Sequence, residues 1–205
     1  MKNLRQLLLL TTCCFALACG KDSRGSRDDG EPSKTDSAGE TKAPAAKGQG
    51  LAGSTITVDG EEHTFKAKDN GYKTSGGLKF KVQADRVKVK NAQDQELCKI
   101  KKKDDGFKLY RDGGEDAVLK GKRRGDGFKL VKKPSDEEIG KVEKGGGTLG
   151  GEEVIVADGE VKRGGKTVAK VGAGLPATTA AILGATELSK AERLGIVVYL
   201  LEVEK

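Results

Sequence analysis

The chain has 205 residues, with 38 Lys and Arg against 31 Asp and Glu, and only 35% of its residues are hydrophobic. This length suits one ordinary domain with appendages, and the lack of Trp together with 4% aromatic residues argues against a large aromatic ligand pocket. One His and four Cys leave little material for a metal cluster or a His-based catalytic site.

The first twenty residues have the pattern of a bacterial export signal. Lys2 and Arg5 precede an uncharged stretch, 6–18, which is too short to be a permanent membrane span. Residues 15–19 read FALAC, which resembles the lipobox of bacterial lipoproteins, although Ala16 stands where Leu is commonest. We therefore predict a signal peptide at residues 1–18.

The lipobox resemblance implies cleavage between Ala18 and Cys19 and a diacylglycerol on the Cys19 thiol, with acylation of the new amine as a further step. Gly20 at the next position implies sorting to the outer membrane in a cell with two membranes. Two or three acyl chains hold a protein stably on a membrane, whereas one chain binds reversibly. The alternative is an ordinary signal peptide that leaves Cys19 free.

The segment that follows, residues 19–53, is predicted to be a lipidated Cys with a disordered tether. It is rich in Gly, Ser, Ala and Pro, its six basic and six acidic residues cancel, and Leu51 is its only large apolar residue. Such a segment buries too little apolar surface to offset chain entropy. We place the folded domain at residues 54–205.

From Phe80 onwards the folded part shows the alternation of β-strands, with apolar residues at every second position between Lys, Arg and Gln. Asp- and Gly-rich turns separate these short runs. The sequence DGFKL occurs at 105–109 and again at 126–130, a period of 21 that matches one stacked hairpin. We predict an antiparallel meander of about ten to twelve strands that must close, because open edges invite aggregation.

The C-terminus changes period and predicts helices at about 177–185 and 190–203. Pro176 suits the first turn of the shorter helix, and Ser189 with Glu192 forms the pattern of a capping box. Residues 194–201 are large and apolar except for Gly195, which predicts a helix buried on every face. A final β-strand is the alternative, since the run IVVY also suits a strand.

The predicted fold is mainly β: an antiparallel meander closing into a barrel around a buried hydrophobic C-terminal helix. In this order of elements, and in the segment LSKAERLGIVVYLLEVEK at 188–205, the chain resembles the tubby-like superfamily, which includes the phospholipid scramblase-like proteins. The resemblance covers about residues 80–205. It implies hairpin repeats wrapped around the closing helix. It does not imply scrambling activity, because the Cys- and Pro-rich elements of the eukaryotic scramblases are absent.

Candidate catalytic and metal-binding motifs are weak. Gly165-Lys166-Thr167 lacks the Gly that a phosphate loop needs at position 160 and is interpreted as a hairpin turn. The glycines at 145–151 are interpreted as a flexible connection, and His63 as a surface or strand-edge residue. Cys98 is expected to face the core, and the acidic clusters 112–116 and 136–138 are expected to be solvated turns rather than Ca²⁺ sites.

Lysines on the strands are the one systematic feature, and they suggest a basic outward face. The residues concerned are Lys79, Lys81, Lys88, Lys90, Lys99, Lys101, Lys108, Lys120, Lys129, Lys141 and Lys170. Such a face could bind lipid phosphates or another envelope polyanion, or it could serve only to keep the sheet soluble. Our candidate polyanion-binding residues are Lys88, Lys90, Lys108 and Lys129.

The sequence therefore predicts a lipid-anchored envelope protein that acts as a non-enzymatic binding or structural module. Binding or handling of anionic lipid or lipopolysaccharide through the Lys-rich face is the alternative, and an envelope hydrolase is a remote one. We expect no cofactor, no metal and no nucleic-acid partner. The expected contact with the membrane is the lipidated Cys19.

Overall fold

The computed structural model describes residues 50–204, which form one closed antiparallel β-barrel of fourteen strands around two helical segments. The predicted signal peptide, Cys19 and the tether up to residue 49 lie outside the described residues. The strands are Thr55–Val58 (β1), Glu61–Lys68 (β2), Gly71–Thr74 (β3), Lys79–Gln83 (β4), Arg86–Lys90 (β5), Glu96–Lys103 (β6), Gly106–Arg111 (β7), Ala117–Arg124 (β8), Gly127–Lys132 (β9), Glu138–Glu143 (β10), Gly146–Leu149 (β11), Glu152–Ala157 (β12), Glu160–Arg163 (β13) and Lys166–Val171 (β14).

Each strand pairs with its neighbours in sequence, and β1 pairs with β14 to close the ring. The prediction of a mainly β meander that closes around a C-terminal helix is confirmed. The 21-residue repeat is visible as well, because β6–β7 and β8–β9 have the same alternation of buried and exposed positions.

Fourteen strands exceed the predicted ten to twelve, because β11 and β13 were not recognised. The prediction of a flexible connection at 145–151 is wrong, since 146–149 pairs on both sides with β10 and β12. Gly147 has φ +151°, and a Cβ there would lie 2.1 Å from the carbonyl oxygen of Lys141. The glycine therefore permits a close approach of two strands, and it does not mark a loop.

Two helical segments follow the strands: Ala177–Ala181 (α1), continued by a 3₁₀ turn at Ile182–Gly184, and Lys190–Glu202 (α2). The predicted first helix thus changes to 3₁₀ geometry after Ala181. The capping box is confirmed, since the Ser189 hydroxyl accepts from the Glu192 N–H while the Glu192 carboxylate accepts from the Ser189 N–H. The alternative of a final strand is wrong. No helix within residues 50–204 is long and apolar enough to span a membrane.

The helices fill the barrel interior. About eight strands enclose a space that their own side chains can fill, so fourteen strands leave room for more chain. α1 packs on β10–β12, and α2 packs on β4–β6. At Gly195 an added Cβ would lie 2.7 Å from Val89 Cγ2, so α2 lies directly against β5. The sequence predicted one threading helix, whereas the interior also holds α1 and the 3₁₀ turn that follows it.

The barrel has two ends, which differ in the part of α2 that lies there. We call the end where α2 begins, beside the turns β1–β2 and β3–β4, the upper end, and the end where α2 finishes the lower end. Leu51, which the prediction assigned to the tether, is buried in the core. Because the buried apolar core runs from Leu51 to Val203, a chain that begins at residue 50 carries its own core.

Candidate anion-binding surface

The outer face of β4–β10 carries regularly spaced cations because each strand alternates inward apolar residues with outward basic ones. In β5, Val87 and Val89 are fully buried while Lys88 and Lys90 face outward. Lys108 lies between buried Phe107 and Leu109, and Lys129 takes the same place one repeat later. The apolar core therefore directs these lysines to the surface.

The strand register places these cations directly opposite one another. Eight cross-strand pairs within β4–β10 consist of two cations each. We call the twelve residues in these pairs the basic wall. The pairs are Lys79–Lys90, Lys81–Lys88, Lys88–Lys99, Arg86–Lys101, Lys101–Lys108, Lys108–Lys120, Lys122–Lys129 and Lys129–Lys141. Consecutive pairs share members, so the cations form continuous rows across three or four strands, except that Lys79–Lys90 spans only β4 and β5 within the wall.

Such rows are unfavourable for the isolated protein, because like charges directly opposite in an antiparallel sheet repel each other. Protection of sheet edges does not explain them, since the barrel formed by residues 50–204 is closed and has no free edge. A bound anion would relieve the repulsion, which makes the wall a candidate binding surface.

Carboxylates of the protein neutralise only part of the basic wall. Five members form ion pairs with Asp or Glu, for example Lys88 with Glu96 at 2.8 Å and Lys120 with Asp105 at 2.8 Å. The remaining seven have no carboxylate oxygen within 4 Å among the described residues: Lys81, Lys90, Lys99, Lys101, Lys108, Lys122 and Lys141. Four of them, Lys90, Lys101, Lys122 and Lys141, still attract nearby carboxylates at longer range, so their charge is only partly available to a ligand.

Tyr110 organises the centre of the wall. Its ring faces outward from β7 but is only 9% exposed, because the amino groups of Lys99 and Lys101 lie 5.1 and 5.5 Å from the ring centroid. These distances allow cation–π attraction. The stems of both lysines are thereby held against a rigid ring, and their charged ends project outward.

The charge is concentrated in one half of the barrel, although like-charge pairs also join Lys66 to Lys73 and Lys73 to Lys79 on β2–β4. β4–β10 carry eighteen basic and three acidic residues, whereas the other seven strands carry seven basic and five acidic residues. A lysine needed only for solubility would be expected all round the barrel. The uneven distribution of charge therefore gives the barrel one strongly basic face.

All four predicted polyanion-binding residues lie in the basic wall. Lys90 and Lys108 make no ion pair in the part of the chain that the structure describes, while Lys88 is bound to Glu96 and Lys129 to Glu138. Arg86 and Lys122 were not among the predicted residues; their importance comes from the strand register, which places them opposite Lys101 and Lys129. Lys170 lies elsewhere, opposite Glu160 on β13.

A second region of interest is a cavity of about 650 Å³ at the upper end, beside the start of α2. Most of its ionised groups are already paired, although Asp112 makes no ion pair among the described residues. Arg111 donates to both carboxylate oxygens of Glu192, at 2.6 and 3.1 Å, and this hydrogen bonding raises the pKa of Arg111. Glu61 is paired with Lys190, whose hydrogen bond lowers the pKa of that carboxyl. These pairs hold the first turn of α2 against β2 and β7.

His63 lies beneath this cavity and is 1% exposed, so its interpretation as a surface or strand-edge residue is wrong. His63 lies two residues before Phe65 on β2, so both side chains point into the barrel. This alternation could have predicted the burial of His63. Neither ring nitrogen has a hydrogen-bond partner, and Nε2 is 3.7 Å from the nearer Glu61 oxygen. Burial lowers the pKa of His63, as does Lys190 more weakly, while Glu61 opposes the shift.

The other candidate motifs take structural positions. The interpretation of Gly165-Lys166-Thr167 as a hairpin is confirmed, since β14 begins at Lys166 directly after the turn. Cys98 faces the core as predicted, fully buried, and burial raises the pKa of its thiol. Within residues 50–204, no group of three or more His, Cys, Asp or Glu is placed to hold a metal ion.

Compared with protein-family models, with curated proteins and with solved structures, the chain matches none of them.

Proposed function

We propose that this chain is a lipid-anchored protein of the cell envelope, in the outer membrane where the cell has one, whose barrel acts as a non-enzymatic binding module for anionic groups. The observation that carries the proposal is the basic wall: twelve cations in eight like-charge pairs on one half of the barrel. The signal-peptide and lipobox pattern around Cys19 supports the location.

The filled interior of the barrel supports a binding site on its outer surface. α1 and α2 fill the space that the strands enclose, and Leu183, Ile196 and Tyr199 are fully buried. At the upper end, three carboxylates are engaged by Lys190, Arg111 and Arg163, whereas Asp112 makes no ion pair among the described residues. The largest group of accessible, unpaired charges among the described residues lies on the outer wall.

The test measures binding of residues 50–205 to inorganic polyphosphate and to vesicles containing an anionic phospholipid, at low and physiological salt. The wall variant replaces Lys99, Lys101 and Lys108 by Gln, and a matched control replaces Lys162, Lys166 and Lys170 on β13–β14. We expect binding at low salt that the wall variant loses and the control keeps. Equal loss in both variants would show that net charge alone is responsible, and no binding to either probe would refute the proposal.

Anionic lipid headgroups are a second candidate ligand, because the predicted anchor at Cys19 would hold the barrel near a membrane surface. Binding to anionic vesicles with no binding to polyphosphate would favour this candidate.

The anchor itself has a separate test in the full chain. Cys19→Ser should release the protein from the membrane fraction, since one thiol carries the diacylglycerol. Cys13→Ser with Cys14→Ser is the control, because both residues lie within the predicted signal peptide. Retention of the Cys19 variant on the membrane would contradict the proposed lipidation.

The proposed relationship to the tubby-like superfamily is supported by the barrel that surrounds α2 and by the 21-residue hairpin repeat.

A further inference from the structure

The shape of the basic wall distinguishes between a flat and a flexible ligand. Fourteen strands about 4.8 Å apart and tilted by about 40° give a backbone radius of roughly 14 Å. An extended lysine stem adds about 6 Å, so the amino groups lie on a cylinder of roughly 20 Å radius. The wall occupies seven of the fourteen strands, so β4 and β10 lie nearly on opposite sides of this cylinder.

A flat surface reaches only the middle of such a wall. A plane that touches the amino groups on β7 lies about 15 Å from those on β4 and β10, given the cylinder radius above, and charges interact over only about 8 Å at physiological salt. Lys81 on β4 and Lys141 on β10 would then contribute little to binding, although both are free of ion pairs among the described residues.

The rows of cations instead follow the curve of the barrel. The pairs Lys81–Lys88 and Lys88–Lys99 cross β4–β6, Lys101–Lys108 and Lys108–Lys120 cross β6–β8, and the row Lys122–Lys129–Lys141 crosses β8–β10. The backbones that carry neighbouring cations in a row are about 5 Å apart, the spacing of paired strands, and the amino groups lie farther apart because they project onto the wider cylinder. A chain that runs across the strands therefore meets a cation at almost every strand.

We infer that the basic wall binds a flexible linear polyanion, a polymer that carries phosphate or carboxylate groups along its length, which wraps across β4–β10. This inference rests on the proposed function, since it specifies the ligand of the same wall. The arc along the amino groups from β4 to β10 is about 50 Å at the cylinder radius above, so a polymer must be at least that long to use every row.

The experiment uses residues 50–205, with inorganic tripolyphosphate, a polyphosphate longer than the arc, and anionic phospholipid vesicles as probes. We expect the long polyphosphate to bind at least tenfold more tightly per phosphate than tripolyphosphate, because one chain engages several cations at once. The flank variant, Lys81→Gln with Lys141→Gln, is compared with a central variant, Lys101→Gln with Lys108→Gln.

Flank and central variants should both weaken binding of the long polymer. Each should reduce the size of the negative slope of log K against log salt by about 1.4, or about 0.7 for each lost cation. The control, Lys166→Gln with Lys170→Gln on β14, should leave the slope unchanged. Binding of the long polymer that is insensitive to the flank variant, or no tighter than tripolyphosphate, would overturn the inference. Binding to vesicles alone would overturn it while leaving the proposed function intact, and binding to none of the probes would refute both.

Discussion

Lys108→Gln should stabilise the barrel. Lys108 lies directly opposite two other cations, Lys101 on β6 and Lys120 on β8, and makes no ion pair within residues 50–204. An opposite-charge pair across an antiparallel sheet contributes about 0.2–1 kcal/mol and a like-charge pair is destabilising; with the same magnitude for both contacts, their removal should raise the free energy of unfolding by roughly 1 kcal/mol at low salt. For a domain of this size, that gain corresponds to an increase in Tm of about 2–4 °C.

The measurement is urea unfolding of residues 50–205 at low salt and in 1 M NaCl, where the screening length falls to about 3 Å and the gain should disappear. Lys170→Gln is the matched control, because Lys170 lies opposite Glu160 at 3.5 Å and its removal should have the opposite sign. A Lys108 variant that is less stable than the wild type at low salt would refute the account of the wall as a repulsive arrangement.

Three other predictions concern the interior of the barrel. Because burial lowers the pKa of His63, the unfolded chain binds a proton there more readily than the folded one, so stability should fall as pH falls below about 6.5. His63→Leu should remove this loss in the range from about pH 6.5 to 5, above the titration of the carboxylates, in pH-dependent urea unfolding; an unchanged pH profile would contradict the assignment. Tyr199→Phe should lower the free energy of unfolding by about 1–2 kcal/mol, because the buried hydroxyl donates to Glu204 at 2.6 Å and lies 3.2 Å from the carbonyl oxygen of Gly106; a neutral effect would show that water replaces these bonds. The thiol of Cys98, the only cysteine in residues 50–205, should react with a thiol reagent in urea but not in buffer, and rapid labelling of the native protein would show that the barrel opens between β6 and α2.

Local patterns were enough to predict the main architecture. Alternation around Val87 and Val89 and the repeated DGFKL identified the strands, and Ser189 with Glu192 identified the start of α2. These signals are visible because each depends on residues that are close together in the chain.

Features that depend on distant partners were missed. β11 has the sequence GGTL, with no intrinsic preference for a strand, and it exists because β10 and β12 supply hydrogen bonds on both sides. Leu51 follows a polar, Gly-rich segment and was assigned to the tether, but its side chain is buried in a core that only the closed barrel forms. The candidate site was foreseen only as a set of outward lysines, because the pairing of Lys122 with Lys129 depends on a register that no single strand specifies.

The order of the elements along the chain has a consequence for folding. The barrel closes by pairing β1 with β14, and α2, which supplies one side of the core, begins only at Lys190. A chain truncated before Lys190 would hold all fourteen strands but leave the core beside β4–β6 unfilled, and one truncated before Lys166 could not close the ring. Closure and filling of the barrel therefore both depend on contacts between residues that are far apart in the sequence, which favours slow folding.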